Sequence, residues 1–267
     1  SVDEAISSKS GELHLLRDAT LDCYNNYLGV NAVIYGHGHT LKAEAKFSVD
    51  VNSDFKLYDV TLDLNQKSIL VSAATLTLGK GTTVKNGLAD NGGAVLLYST
   101  AAKQGTLIME SGSKITNCKA NYGGGGVHTH VGTFIMNGGT IENCTGGGVN
   151  VPDTSKVIIS GDAEIINNKN ASGGAYNLVA KTSDTVTFTG TLTKKISVSN
   201  NFAEGEKIAN ASDLKGAENI VLDSGEAYIG KVDGDRVVWQ KNPNSTAKAP
   251  GEGYVPKTGW KVEINSR

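Results

Sequence analysis

One short block recurs down the chain and constrains its fold more than any other feature. A Gly-Gly pair opens it, two strand-like runs follow, a glycine turns the chain, and a third short run ends in asparagine. The pairs Gly92-Gly93, Gly125-Gly126, Gly147-Gly148 and Gly173-Gly174 recur at intervals of 33, 22 and 26 residues. The asparagine ends read Val84-Lys85-Asn86, Ile115-Thr116-Asn117, Ile141-Glu142-Asn143, Ile165-Ile166-Asn167 and Val198-Ser199-Asn200. Fixed blocks at variable spacing mean that the loops vary while the strands are kept. A period in the twenties or low thirties marks a stacked solenoid.

Three strands and three turns per repeat make one coil of a parallel β-helix. The expected class is all-β: a single right-handed parallel β-helix (solenoid) with a short N-terminal capping helix. The first strands of the coils are expected at 94–98, 127–131, 149–151 and 175–179. The second strands are expected at 106–109, 133–136, 156–159 and 185–188. Coils stack at about 4.8 Å, so inward residues form columns along the axis. Leu78, Met109, Met136, Ile159 and Phe188 make one expected column, and Val84, Ile115, Ile141, Ile165 and Val198 another. Both are apolar, as a solenoid core requires.

A tight turn needs a residue that tolerates a left-handed backbone, and Asn is the best choice after Gly. The asparagines are therefore expected to form a ladder that satisfies turn polar groups coil after coil. Upstream, 31–35 and Gly36-His37-Gly38-His39-Thr40-Leu41 read as an early coil, and 55–63 alternates with a slip that suggests a bulge. The opening residues 1–6 read as a capped amphipathic helix covering the end of the first coil. Residues 219–222 and 236–239 read as the last strands, with Asp233-Gly234-Asp235 as a hairpin turn. The composition shift after residue 241 divides the chain into a β-helix with its cap, 1–241, and a linker or tail, 242–267.

The repeat Gly-Thr-Phe-Ile-Met-Asn-Gly-Gly-Thr-Ile-Glu-Asn-Cys, at 132–144, resembles that of pectin-lyase-like β-helix domains in adhesin-like bacterial surface proteins. The resemblance covers roughly residues 30 to 240. It implies a secreted or cell-surface location and glycans or host and other cell-surface molecules as partners. The scaffold itself hosts lyases, hydrolases, adhesins and inert stalks. Val255-Pro256-Lys257-Thr258-Gly259 resembles a sortase signal with Val in place of Leu, and no apolar span follows it. The chain opens on Ser without a recognisable leader, as in a processed product or an excised segment.

Charge excludes some classes. The chain carries 25 basic and 27 acidic residues, which gives no footprint for nucleic acid. Only Arg17, Arg236 and Arg267 are arginines, so the repeats are poorly equipped for polyanions. No run approaches a membrane span. Three cysteines do not make a disulfide scaffold. Cys118 and Cys144 each follow a ladder asparagine and should stack in adjacent coils, as a buried small-residue column or at bonding distance.

Function should then lie in what breaks the repeat. His128 and His130 lie two residues apart on one strand and share a face. The expected outward column is Val95, His128, Asn150 and Tyr176, with Tyr98 and Tyr122 near the same face. Aromatic rings with flanking amides suit sugar recognition. The candidate ligand-binding residues are therefore His128, His130, Asn150, Tyr176 and Tyr98. Two imidazoles alone make no metal centre, so neither a metal nor a cofactor is expected. Gly36-His37-Gly38 matches a polygalacturonase tripeptide, but the other motifs of that family are missing, and it reads as a turn. Glycoside hydrolysis needs two carboxylates about 5–10 Å apart. Glu142 with Asp153, and Glu110 with Asp162, are the weak candidates. The leading expectation is a non-enzymatic extracellular adhesin-like or carbohydrate-binding module. A carbohydrate-active hydrolase or lyase, working in an outer groove near His128 and Asp153, comes next, and a structural spacer third.

Overall fold

The computed structural model describes residues 2–7, 11–22, 27–28, 30–99, 103–152, 154–199, 203–223 and 225–246. The chain is a parallel β-helix of about eight turns. Three parallel sheets form its faces. The first holds Tyr27–Leu28, Phe47–Asp50, Ile69–Ser72, Val95–Tyr98, Val127–His128, Val149–Val151 and Leu178–Ala180. The second runs from Gly11–His14 to Lys207–Lys215 and includes Gly105–Met109, Gly132–Met136 and Lys156–Ile159. The third runs from Ala19–Leu21 to Ile220–Leu222 through Lys114–Thr116, Thr140–Glu142 and Glu164–Ile166.

Register is strict where the core is buried. Leu57, Leu78, Met109, Met136, Ile159 and Phe188 stack in the second sheet, each nearly or fully removed from solvent. In the third sheet Val84, Ile115, Ile141 and Ile165 stack as expected, but Ile196 and not Val198 continues the column. Val198, two residues on in the same strand, pairs with Leu178 of the first sheet and with Leu222 of the third. The asparagine pattern mimics the repeat there without its register, and Asn200 lies outside the described residues. A second correction concerns the first sheet. Val127 stacks between Val95 and Val149, and the next strand begins at Leu178. Ala175, which the expected strands 149–151 and 175–179 align with the buried Val149, is exposed and makes only an isolated bridge to Lys169. The inserted segment before Leu178 shifts the strand by three residues, so alignment on the glycine pairs misplaces it.

The remaining asparagines do adopt the expected backbone. Asn86, Asn117, Asn143 and Asn167 have φ of 60°, 54°, 57° and 57°. All four are exposed, so they do not form the buried ladder. Burial begins one residue later, in the column Gly87, Cys118, Cys144 and Asn168. The Gly87 N–H donates to Cys118 Sγ at 3.3 Å, and the Cys144 N–H donates to Asn168 Oδ1 at 2.9 Å. Both thiols are free. The hydrogen bond with Cys144, together with burial, holds the Cys118 thiol well above its usual pKa. Cys23 lies outside the described residues.

The slip within 55–63 is a corner rather than a bulge. Asp54–Tyr58 belongs to the second sheet and Thr61–Asp63 to the third, with Asp59 between them at φ 49°. Comparable corners use glycine. At Gly139, φ 85°, an added Cβ would stand 2.5 Å from Ser113 Oγ in the preceding coil.

The ends are closed differently. The helix Val2–Ser7 lays the buried Ile6 against the first coil. At the other end the hairpin Tyr228–Asp233 and Arg236–Lys241 pairs antiparallel with Ile220–Leu222 and Lys207–Lys215. It joins the second and third sheets and buries Trp239. Both devices cover backbone that would otherwise be an open strand edge. Residues 247–267, which hold most of the expected tail and the sortase-like pentapeptide, lie outside the described residues.

If the asparagines serve conformation alone, Asn143→Gly should leave thermal stability unchanged. Asn143→Ala should cost about 1–2 kcal/mol, because a Cβ is strained at positive φ. Chemical denaturation of both variants measures the difference, and equal losses would mean that the amide itself matters.

Candidate functional site

The outer face of the first sheet carries the aromatic cluster. Its outward column is Leu70, Leu96, His128, Asn150 and Val179. Val95 is buried in the core, and Tyr176 lies ahead of the strand with its ring beside Gly147. In the expected column of Val95, His128, Asn150 and Tyr176, Leu96 therefore takes the place of Val95 and Val179 that of Tyr176.

The structure does bring Tyr98, His128 and His130 together. Tyr98 and His130 stack with ring centroids 5.5 Å apart and planes 4° from parallel. His128 lies 6.0 Å from His130, with the planes inclined by 21°. The strand ends at His128, and the chain then bends. Thr129 turns fully inward, and its hydroxyl donates to the Asn150 carbonyl at 3.3 Å. The Ser155 hydroxyl donates to the Thr129 carbonyl at 2.7 Å and the Thr154 hydroxyl to the His130 carbonyl at 2.8 Å. These bonds from the next coil fix the bend, which aims His130 back over Tyr98 of the preceding coil. Asn150 lies against Gly123, where an added Cβ would stand 3.1 Å from its Nδ2. Tyr98 is 45% exposed and Tyr122 80% exposed, so rings remain open to solvent.

His128 is the electrostatically unusual member. Burial, with the neighbouring His130, lowers its pKa to about 4. Its Nδ1 is buried and has no hydrogen-bond partner among the described residues. A charged imidazole there would lose hydration without gaining an acceptor. Among the described residues no three His, Cys, Asp or Glu side chains converge as a metal would require.

The acidic candidates fall elsewhere. Glu142 is on the third sheet, where it accepts a bond from Lys114 Nζ at 2.9 Å. Asp153 lies outside the described residues. Asp162 is at a corner and accepts from the Ser111 hydroxyl at 2.8 Å. Gly36-His37-Gly38 is a turn, with His37 at φ 52° and Gly38 at φ 81°.

Two features escaped the sequence reading. The first is a second aromatic stack, His14, Tyr35 and Tyr58, with centroids 5.0 and 5.6 Å apart. His37 joins it through a 2.8 Å contact between its Nε2 and His14 Nδ1. These ring faces cover one another, and Tyr58 packs so closely on Gly79 that an added Cβ would stand 2.0 Å from Tyr58 Cε1. The signal of this stack was the spacing of the three rings by one coil length. The second is a corner cleft of about 450 Å³ that includes Glu164, Lys195, Asp223 and Glu226. At its base Asp223 accepts from Asn177 Nδ2 at 2.6 Å and from the Ser199 hydroxyl. The buried Asn168 donates to Asn177 Oδ1 at 2.9 Å. The signal here was the break in the repeat after Asn167.

No helix among the described residues is long and apolar enough to cross a membrane. No protein-family model, curated protein or solved structure matches the chain.

The His128 environment predicts a pH dependence. Its folded pKa lies below the unfolded value of about 6.5, so the unfolded chain binds more protons between the two. Stability from this residue is complete above about pH 6.5 and is lost as pH falls toward 4. His128→Gln should therefore flatten that part of the melting-temperature profile, while His130→Gln should flatten it less. An NMR titration that places the His128 midpoint near 6.5 would refute the assignment.

Proposed function

We propose that the chain is an extracellular, adhesin-like carbohydrate-binding module of a bacterial surface protein, and that it acts without catalysis. The observation that carries this reading is the open Tyr98–His130 stack, flanked by His128 and the Asn150 amide. Sugar rings present an apolar face and a rim of hydroxyls. A rigid aromatic surface beside fixed hydrogen-bonding groups complements both. The surface location and the likeness to pectin-lyase-like repeats belong to the same reading and rest on the Gly-Gly and Asn blocks.

A second reading, a carbohydrate-active enzyme, is favoured by one observation: Glu164, Asp223 and Glu226 line a single cleft. Against it, Asp223 is held by Asn177 and Ser199, and Glu226 is paired with Lys195. A third, a structural spacer, would need no exposed cluster at all.

A glycan array combined with a reducing-sugar assay on mucin and plant glycans separates the three. Binding without turnover is the expected result. Tyr98→Ala should then weaken binding by about five- to ten-fold, the scale of one aromatic contact. Turnover abolished by Asp223→Asn would favour the enzyme, and neither binding nor turnover would leave the spacer.

A further inference from the structure

A second cavity lies at the N-terminal end, away from the aromatic cluster. It is a groove of about 710 Å³ between Val2 of the terminal helix and the first two strands of the third sheet. Its polar wall is made by Arg17, Thr20, Thr40 and Lys42. Thr20 and Lys42 are register neighbours in adjacent coils, so they stand one coil spacing apart. Val2 and Ala19 supply the apolar part of the lining.

The charges in this groove differ in how far they are committed. Asp18 Oδ1 accepts the Thr40 N–H at 2.8 Å and lies 3.4 Å from His39 Nδ1. Lys42 Nζ is 3.0 Å from Glu44 Oε1. Arg17 has no hydrogen bond or ion pair among the described residues. Arg236, by contrast, is closed on Asp233 through contacts of 2.7 and 3.0 Å. Arg17 is thus an uncommitted guanidinium fork on a groove that Thr20, Thr40, Lys42, Val2 and Ala19 also line. A guanidinium binds a carboxylate through two parallel N–H donors. The Asp18 carboxylate in the same groove disfavours a second anionic group on the ring that occupies it.

We infer that this groove binds a pyranose ring bearing a single carboxylate, as in a uronic or sialic acid residue. The carboxylate sits on Arg17, the ring hydroxyls meet Thr20, Thr40 and Lys42, and the apolar ring face rests on Val2 and Ala19. The cavity volume is in the range of small-ligand sites. This inference rests on the glycan-binding reading and adds to it a substrate class and a separate subsite.

The test is calorimetry on the full chain with trigalacturonate, 3′-sialyllactose and neutral galactotriose. At least one acidic probe should bind about ten-fold more tightly than galactotriose, as a charge-assisted contact allows. Trigalacturonate against sialyllactose tells uronate from sialate. Arg17→Ala should abolish the acidic advantage, and Arg17→Lys should restore part of it. Arg236→Ala, which removes the same charge at the opposite end of the solenoid, should leave the advantage intact, with circular dichroism confirming that each variant folds. Equal affinity for acidic and neutral probes, an advantage that survives Arg17→Ala, or tighter binding of a sulfated galactan would overturn the inference. If galactotriose binds and the acidic probes gain nothing, only this subsite fails. If no saccharide binds, the glycan reading fails with it.

Discussion

The whole molecule depends on in-register stacking of inward apolar residues from one coil to the next. Each coil alone is a thin triangle of chain with one layer of side chains, too little to fold by itself. Placed on its neighbour, it buries both faces of that layer and completes the strand hydrogen bonds. The column from Leu57 through Met109 to Phe188 shows the consequence. Side chains there change in shape, but none becomes polar, because a polar group would be sealed between two apolar layers without a partner.

The same constraint decides where variation is possible. Strand interiors are fixed by register, whereas corners can lengthen without disturbing the stack. The third-to-first corner takes most of the freedom, with the added strands Leu88–Asn91 and Lys119–Gly123 and the inserted segment before Leu178. The side chains that make the corner cleft come from that region. The aromatic cluster arises from a related departure, where the first-sheet strand stops at His128 and Thr129 is pinned inward. Bending the chain there costs two ladder positions and gains an imidazole that reaches the previous coil.

Polar burial is handled by local networks rather than by one repeated amide. The column of Gly87, Cys118, Cys144 and Asn168 changes chemistry at nearly every coil, yet its members remain paired with backbone or with each other. Asn168 satisfies the end of the regular stack and hands over to Asn177, Ser199 and Asp223. His128 Nδ1 and Trp239 Nε1 are buried without a partner among the described residues, and burial with the neighbouring His130 lowers the His128 pKa.

Much of this was legible in the sequence. The glycine pairs and the Ile-x-Asn ends encode a solenoid because period and apolar columns are properties of the chain itself. The left-handed asparagines follow from local backbone sterics, but the meeting of His128 and His130 depends on the bend that follows His128 rather than on one continuous strand. What the sequence could not supply was register across insertions. Val198 carries the right pattern two residues past the column position that Ile196 takes, and Tyr176 sits three residues ahead of Val179, which fills the position expected for it. Nor could it show that Glu142 is taken by Lys114, that Tyr98 lies under His130, or that Arg17 stands open beside the terminal helix. These are contacts between residues separated by a coil or more, and only the stacked backbone fixes them. The sequence by itself determined that this protein coils and which residues make the inward column of the second sheet. The tertiary structure decided which outward side chains meet, because the pitch of the stack and the lengths of its corners set their distances.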